Sequence, residues 1–146
     1  MAFIVVTGGE GFMPSGMTKN GTLKMSATWT DVASWTADTT GYPGSNLLGN
    51  GVRVQGGNGN ATITVNLPFS GGTNTPTQQA RIMVNNVFLV NGPQVVTANS
   101  GTLTATATGV TLADGDVVTV QAMCTAQFTS WESTISAGAG TYVRIT

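Results

Sequence analysis

The chain has 146 residues, of which 40% are apolar and only 8% are charged, and its net charge is −1. This length suits one domain with its own core, and the near-neutral charge excludes the basic surface that nucleic-acid binding requires. The sequence has no histidine, and Cys124 is its single cysteine. A single cysteine excludes an intrachain disulfide. Because histidine is the commonest general base and metal ligand, its absence leads us to expect a non-enzymatic protein without a cofactor.

The first twenty residues predict a segment distinct from the rest of the chain. An apolar run that includes Phe3, Ile4 and Val5 is followed by a glycine-rich stretch. A strand with two apolar faces lies either between two sheets or, as an arm, on the sheet edge of a neighbouring subunit. The run is too short to span a bilayer and lacks a preceding basic region, so we expect no membrane contact and no secretory signal. We assign residues 1–20 to an N-terminal strand or arm with its loop, and residues 21–146 to a single β-sandwich domain.

Alternating apolar and polar residues predict the strands of that domain. The clearest alternation covers residues 61–69, and the same period of two recurs over residues 23–29, 103–107 and 118–124. Turn-forming Gly, Asn, Asp and Pro residues separate the runs at intervals of about 8–12 residues. This pattern predicts an all-β fold, an antiparallel two-sheet sandwich or jelly roll.

Three local features complete the predicted fold. No long segment is expected to be helical, and the sequence allows at most a short turn of helix near residues 31–35. Residues 36–50, which contain several Gly and a Pro, are expected to form a long loop without a strand. Asp114 and Asp116 are the only closely spaced carboxylates, and they flank Gly115. We expect these Asp side chains to form a turn by accepting hydrogen bonds from local backbone N–H groups. This interpretation is favoured over a catalytic pair and over a weak calcium site.

The aromatic residues are the candidates for contact with another molecule. Trp29 is expected in the core, because it lies on the apolar side of its predicted strand. Trp35 and Tyr42 flank the predicted loop and are the better candidates for contact with a neighbouring subunit, a partner protein or a sugar, although core packing is favoured over surface contact for the aromatic residues. Val117 and Met123 are expected to point outward beside an edge of Tyr142 and Arg144. These residues would otherwise form an exposed apolar patch, which predicts self-association.

The order of features from residue 52 to residue 146 resembles the C1q/TNF-type jelly roll. The run Leu112-Ala-Asp-Gly-Asp-Val-Val-Thr-Val120 is similar to that family's L-x-x-G-D-x-V-x-V step, and the chain closes on Gly140-Thr-Tyr-Val-Arg-Ile-Thr146. This resemblance implies a C1q/TNF-like jelly roll and a homotrimer.

The chain also resembles small virion proteins of tailed bacteriophages, on the runs Asn20-Gly-Thr-Leu-Lys-Met-Ser-Ala-Thr-Trp-Thr30, Trp35-Thr-Ala-Asp38 and Tyr42-Pro-Gly-Ser45. That resemblance implies a homotrimeric capsid decoration protein that stabilises the head, or a minor tail protein. Its partners would be other copies of itself and the major capsid protein or tail proteins. It would be made in the host cytoplasm and located on the outer surface of the virion. A carbohydrate-binding attachment module, with a host-surface glycan as partner, is the alternative from another class.

Overall fold

The computed structural model describes residues 11–146. The strands, in chain order, are β1 (Ser15–Lys19), β2 (Leu23–Lys24), β3 (Thr30–Asp31), β4 (Trp35–Ala37), β5 (Leu47–Leu48), β6 (Gly51–Arg53), β7 (Asn58–Gly72), β8 (Thr77–Val84), β9 (Val87–Asn91), β10 (Val95–Val96), β11 (Asn99–Leu112), β12 (Val117–Thr125), β13 (Thr134–Ile135) and β14 (Gly138–Ile145). Within the described residues the only helical element is a 3-10 helix, Thr129–Trp131.

The strands form two antiparallel sheets that pack face to face. Sheet 1 has the order β4-β1-β14-β7-β11, and β13 and β2 continue it beside the end of β7. Sheet 2 has the order β5-β6-β12-β8; β9 and β10 both pair with the outer side of β8, and β3 pairs with β12. The predicted all-β antiparallel sandwich of the jelly-roll type is confirmed.

The core lies between the sheets because the inward residues of their long strands are apolar. On β7, Ile63 and Leu67 are fully buried, and their neighbours Thr64 and Asn66 turn outward. Strands β11 and β12 alternate in the same way and complete the two walls of the core. Burial of one Ile or Leu side chain stabilises the fold by about 1.5–3 kcal/mol relative to leaving it exposed. Because the apolar residues alternate with a period of two, this gain fixes which face of each sheet points inward.

The structure corrects the strand predicted over residues 23–29. Only β2 and β3 form near this run, and they belong to different sheets, so the chain crosses from one sheet to the other between them. The Ser26 hydroxyl lies 3.0 Å from that of Thr30, within hydrogen-bonding distance, and local bonds of this kind compete with sheet pairing. Trp29 is half-buried at the surface of sheet 2, outside the core.

The structure differs from two further local expectations. No helical turn forms over residues 31–35, where Ser34 adopts a left-handed backbone (φ 63°) between β3 and β4. The segment 36–50, expected to be a loop without strands, contains the end of β4 and all of β5. Both are short strands at sheet edges, and strands this short show no alternation by which the sequence could reveal them.

Residues 15–19, which the sequence analysis placed with the N-terminal segment, form a strand inside sheet 1. Strand β1 pairs with β14 on one side and with β4 on the other. Its inward residues are Ser15, Met17 and Lys19. Because two of these three are polar, the sequence of this strand shows no apolar alternation. The apolar run with Phe3, Ile4 and Val5 lies outside the described residues.

A tight turn forms at Asp114 and Gly115 as predicted, but only Asp116 accepts the predicted local hydrogen bond, and Asp114 accepts one from a distant segment. The Asp114 carboxylate accepts a hydrogen bond from the Gly56 N–H (2.9 Å), and the Asp116 carboxylate accepts one from the Ala113 N–H (2.8 Å). Gly115 between them has φ +84°, a conformation that glycine adopts without strain. The Asp116 carboxylate therefore closes the tight connection between β11 and β12, and the Asp114 carboxylate ties this connection to the segment between β6 and β7.

Candidate assembly interface

The outer face of sheet 1 is a broad neutral surface, which we call the threonine face. Alternation on β7, β11 and β14 turns one residue in two outward from the core. Most of the outward residues are threonines, and the only charged one on these strands is Arg144. The members are Thr18, Thr36, Thr62, Thr64, Asn66, Pro68, Thr102, Thr104, Thr106, Thr108, Tyr142 and Arg144. Packing another protein surface here would desolvate only one charge.

Arg144 lies between two tyrosines on this face. Its guanidinium carbon is 3.6 Å from the ring centroid of Tyr142 and 5.8 Å from that of Tyr42. A cation over an aromatic face is stabilised by about 0.5–1 kcal/mol when exposed and by more when water is excluded. The Nε atom of Arg144 is buried and has no hydrogen-bond partner within the described part of the chain.

Tyr42 reaches this position from the loop between β4 and β5. The buried Ser45 hydroxyl donates a hydrogen bond to the Tyr42 carbonyl (2.6 Å) and accepts one from the Gly16 N–H (3.0 Å). Asp38 closes the preceding turn, because its carboxylate accepts a hydrogen bond from the Gly41 N–H (2.9 Å). These bonds hold the loop against β1 and set the Tyr42 ring beside Arg144.

A second surface lies along the free side of β9 and β10, at one edge of sheet 2. Its large apolar side chains are exposed: Val87 by 67%, Phe88 by 51%, Leu89 by 36% and Val96 by 61%. We call these four residues the apolar edge. A groove of about 540 Å³ runs beside it, between β9 and β11. Exposed apolar side chains clustered in this way mark a surface that another molecule covers.

The outer face of sheet 2 carries a stack around Arg81, which shares Phe88 with the apolar edge. Its guanidinium carbon lies 4.4 Å from the Trp29 ring centroid and 5.9 Å from that of Phe88. Arg81 donates two hydrogen bonds to the Gln121 side chain, and Gln121 donates one to the Asp31 carboxylate (2.8 Å). Arg81 and Trp29 therefore have a local function in fixing this face, while Phe88 remains 51% exposed as part of the apolar edge.

The structure brings together some of the predicted contact residues and separates others. Tyr42 and Tyr142 meet around Arg144, although they are far apart in sequence. Val117 and Met123 lie on sheet 2, on the opposite side of the sandwich from Tyr142, so the single patch expected from these three residues does not form.

The structure places Trp35 in the core. This residue is 9% exposed, and its indole N–H donates a hydrogen bond to the Val32 carbonyl (2.6 Å). Trp35 therefore does not form a surface platform with Tyr42.

The sequence reasoning missed the apolar edge and the role of Arg144. The apolar run 87–90 follows two asparagines, Asn85 and Asn86, which take left-handed conformations (φ 50° and 62°) in the tight turn between β8 and β9. A run of apolar residues after a hairpin turn reads equally well as a buried strand or an exposed edge. The pairing of Arg144 with two rings depends on contacts between distant segments.

The described residues bring together no three Cys, Asp or Glu side chains that could hold a metal ion. Cys124 is buried and accepts hydrogen bonds from the backbone N–H and the hydroxyl of Ser133. Within residues 11–146 no helix has the length and hydropathy to cross a membrane.

Comparison with known proteins identifies the fold. No family model and no curated protein matches the sequence. Among solved structures, Eiger TNF from S. frugiperda aligns with a TM-score of 0.62 and 13% identity, covering 93% of this chain and 92% of that chain. Murine APRIL at pH 5.0 aligns with a TM-score of 0.62 and 15% identity, covering 92% of this chain and 97% of that chain. Murine APRIL at pH 8.0 aligns with a TM-score of 0.61 and 17% identity, with the same coverage of both chains. The fold is a TNF-like jelly roll.

Proposed function

We propose that this protein is a non-enzymatic structural module that assembles as a homotrimer, and that it decorates the outer surface of a bacteriophage capsid. The observation that supports the trimer most directly is the presence of two different unpartnered surfaces on one chain, the apolar edge and the threonine face. A ring of three subunits joins unlike surfaces of neighbouring copies, whereas a twofold dimer joins like surfaces.

The two surfaces differ in a way that suits such a contact. The apolar edge offers Val87, Phe88 and Leu89, which lose exposed apolar area when they are covered. The threonine face offers threonine methyl groups and two tyrosine rings, and its one charge is already placed against those rings. An apolar strand edge packed there desolvates few ionised groups. The C1q/TNF-like fold implies the same threefold arrangement.

The location on a virion follows from the sequence resemblance to small proteins of tailed phages. In this proposal the apolar run that includes Phe3, Ile4 and Val5 is an arm that anchors the trimer to the major capsid protein. A minor tail protein is the alternative within the same particle. Deletion of residues 1–10 is expected to lower the occupancy of the protein on purified particles. Full occupancy after the deletion would exclude the arm as the anchor.

The trimer is tested by light scattering coupled to size exclusion. The wild-type protein is expected to have three times the 14.9 kDa mass of one chain. Val87→Lys puts a charge into the apolar edge, and it is expected to give a folded monomer, because this side chain is 67% exposed in the single chain. Leu48→Lys is the matched control, since Leu48 is 58% exposed at the opposite edge of sheet 2.

Each result of this experiment has a defined meaning. A monomeric wild-type protein, or a Val87→Lys variant that keeps the trimer mass, contradicts the proposed interface. The position of the labelled protein on the particle then distinguishes the two roles. Label over the capsid supports a decoration protein, whereas label confined to the tail supports a minor tail protein.

A further inference from the structure

A groove on the outer face of sheet 2, distinct from the apolar edge and the threonine face, has the features of a ligand site. Its volume is about 540 Å³, within the range of about 300–1,000 Å³ that is usual for small-molecule sites. The β5–β6 turn forms one wall and the β8–β9 turn the other, while β12 forms the floor. We call it the amide groove; its lining includes Asp31, Leu48, Asn50, Asn86, Val117 and Thr119.

The groove exists because β6 approaches β12 closely at Gly51. A Cβ atom at Gly51 would lie 2.5 Å from the Val117 Cγ1 atom, 2.7 Å from the Val118 carbonyl oxygen and 2.8 Å from the Thr119 Cγ2 atom. Only glycine allows this approach, which sets the β5–β6 turn beside the floor. The second wall is fixed by Asn85, whose side chain accepts a hydrogen bond from the Val117 N–H and donates one to the Asp116 carboxylate (both 2.9 Å).

Asn50, which precedes Gly51, and Asn86, which follows Asn85, bring a side-chain amide to each wall of the groove. The side-chain amides of Asn50 and Asn86 make no hydrogen bond within residues 11–146, and each offers two donors and an acceptor. The Asp31 carboxylate uses Oδ1 to accept a hydrogen bond from Gln121, which leaves its second oxygen as an acceptor. The groove therefore presents both donors and acceptors from three different segments of the chain.

The floor adds an unsatisfied buried hydroxyl. Thr119 is 7% exposed, and its Oγ1 atom has no hydrogen-bond partner among the described residues. Buried polar atoms without a partner are rare in folded proteins, and those that occur often belong to sites completed by a ligand or water. Because this Oγ1 atom is fully buried, the Thr119 side chain would have to rotate about its Cα–Cβ bond for a ligand hydroxyl in the groove to supply the missing partner.

We infer that the amide groove binds a neutral carbohydrate. No Lys or Arg lines it, which disfavours an anion, and its single carboxylate is too few for a hard cation, which takes six or more oxygen ligands. A sugar ring offers many hydroxyl groups, which donate and accept as the Asn, Asp and Thr side chains require. Leu48, exposed by 58%, and Val117 provide apolar contacts for the C–H groups of the ring.

This site differs from the carbohydrate platform that the sequence suggested. Trp35 is buried in the core, and Tyr42 lies on sheet 1. Binding in the amide groove is independent of the proposed trimer and of its location on a virion, since it is measured on the isolated protein. A trimer that binds no sugar would contradict this inference alone.

The experiment uses the full chain and a panel of methyl glycosides of glucose, galactose, mannose and N-acetylglucosamine. Saturation-transfer NMR is expected to show binding of at least one glycoside. The backbone amide chemical shifts of the protein that change on binding are expected to cluster at Gly49, Asn50, Asn86 and Thr119. Thr119→Val and Asn86→Gly are each expected to raise the dissociation constant about fivefold or more, as the loss of one hydrogen bond implies.

The two variants are chosen so that misfolding does not imitate loss of binding. Valine has the shape of threonine, and Thr119→Val removes an unpartnered hydroxyl, so its thermal midpoint is not expected to fall. Glycine keeps the left-handed backbone of Asn86 (φ 62°). Thr106→Val on the threonine face is the matched control and is expected to bind as the wild type does. Absence of saturation transfer from every glycoside, shifts confined to other residues, or wild-type affinity in both variants would overturn the inference.

Discussion

Gly16 and Tyr42 are in direct contact on the outer face of sheet 1: the Cδ2 atom of the tyrosine ring lies 2.6 Å from the position that a Cβ atom on Gly16 would occupy. Gly16 pairs with Arg144 across β1 and β14, so the same ring lies beside the guanidinium group. The absence of a side chain at residue 16 thus allows Tyr42 to lie flat against β1 and to complete the stack around Arg144.

Gly16→Ala is therefore expected to displace the Tyr42 ring. Overpacking of this kind costs about 1–3 kcal/mol of unfolding free energy, and the displaced ring weakens the proposed trimer. Urea unfolding measures the first effect, and the concentration dependence of the mass in light scattering measures the second. Gly140→Ala is the control, because a Cβ atom at Gly140 meets nothing within 4 Å. Equal losses in both variants would show that the Tyr42 contact is not the cause.

Arg144→Lys tests whether the planar guanidinium group contributes to assembly. Lysine keeps the charge but cannot stack its ammonium group flat between the rings of Tyr42 and Tyr142. If the threonine face is buried in the trimer, we expect the dissociation constant of the trimer to rise about tenfold, as a loss of about 1.4 kcal/mol implies. Sedimentation equilibrium measures this change. Arg53→Lys on sheet 2, at an exposed residue of β6, is expected to leave assembly unchanged.

Gly92→Ala tests the close approach of the two sheets beside the apolar edge. A Cβ atom at Gly92 would overlap the backbone carbonyl oxygen of Thr104 on β11. Gly92 cannot move away easily, because its N–H donates to the Ala80 carbonyl (2.8 Å) and its carbonyl accepts from the Gln79 amide (2.7 Å). We expect a loss of at least about 3 kcal/mol in unfolding free energy, measured by urea denaturation. Gly59→Ala, in open space on β7, should change stability far less.

The parts of the fold that the sequence predicted are those in which burial follows a period of two. Strand β7 is the clearest example: residues 61–69 alternate in sequence as they alternate in burial, because one face of the strand lines the core and the other is the threonine face. The same holds for β11 and β12. A regular pattern over long strands was enough to indicate a two-sheet sandwich.

The parts that the sequence did not predict depend on contacts between distant segments. Strand β1 is buried through Ser15 and Lys19 as well as Met17, so its inward face does not look apolar. Trp35 fills the core through a hydrogen bond to Val32 that no pattern reveals. The groove at Thr119 depends on two turns that meet over β12, and these turns are more than thirty residues apart in the chain.

The buried amine of Lys19 predicts a dependence of stability on pH. Lys19 is 3% exposed, and its Nζ atom donates hydrogen bonds to the carbonyls of Asn20, Gly21 and Ser34. Burial lowers the pKa of this amine below its ordinary value of 10.5. Between the lowered folded pKa and 10.5 the unfolded chain therefore binds more protons than the folded chain does. In that window the Lys19 contribution to the unfolding free energy rises with pH, and below it the charged buried amine carries its full desolvation cost.

Lys19→Met removes the titrating group and keeps a long apolar stem beside Trp35, its pairing partner on β4. We expect the difference in unfolding free energy between wild type and variant to shift in favour of the wild type as pH rises from neutral to about 10. Urea unfolding at several pH values measures that difference, and Lys24→Met, at an exposed lysine of β2, is the control for the general effect of losing a lysine. If the difference in unfolding free energy between wild type and Lys19→Met stays constant with pH, the amine has the same pKa in the folded and unfolded chains. Its three carbonyl partners would then offset the effect of burial completely.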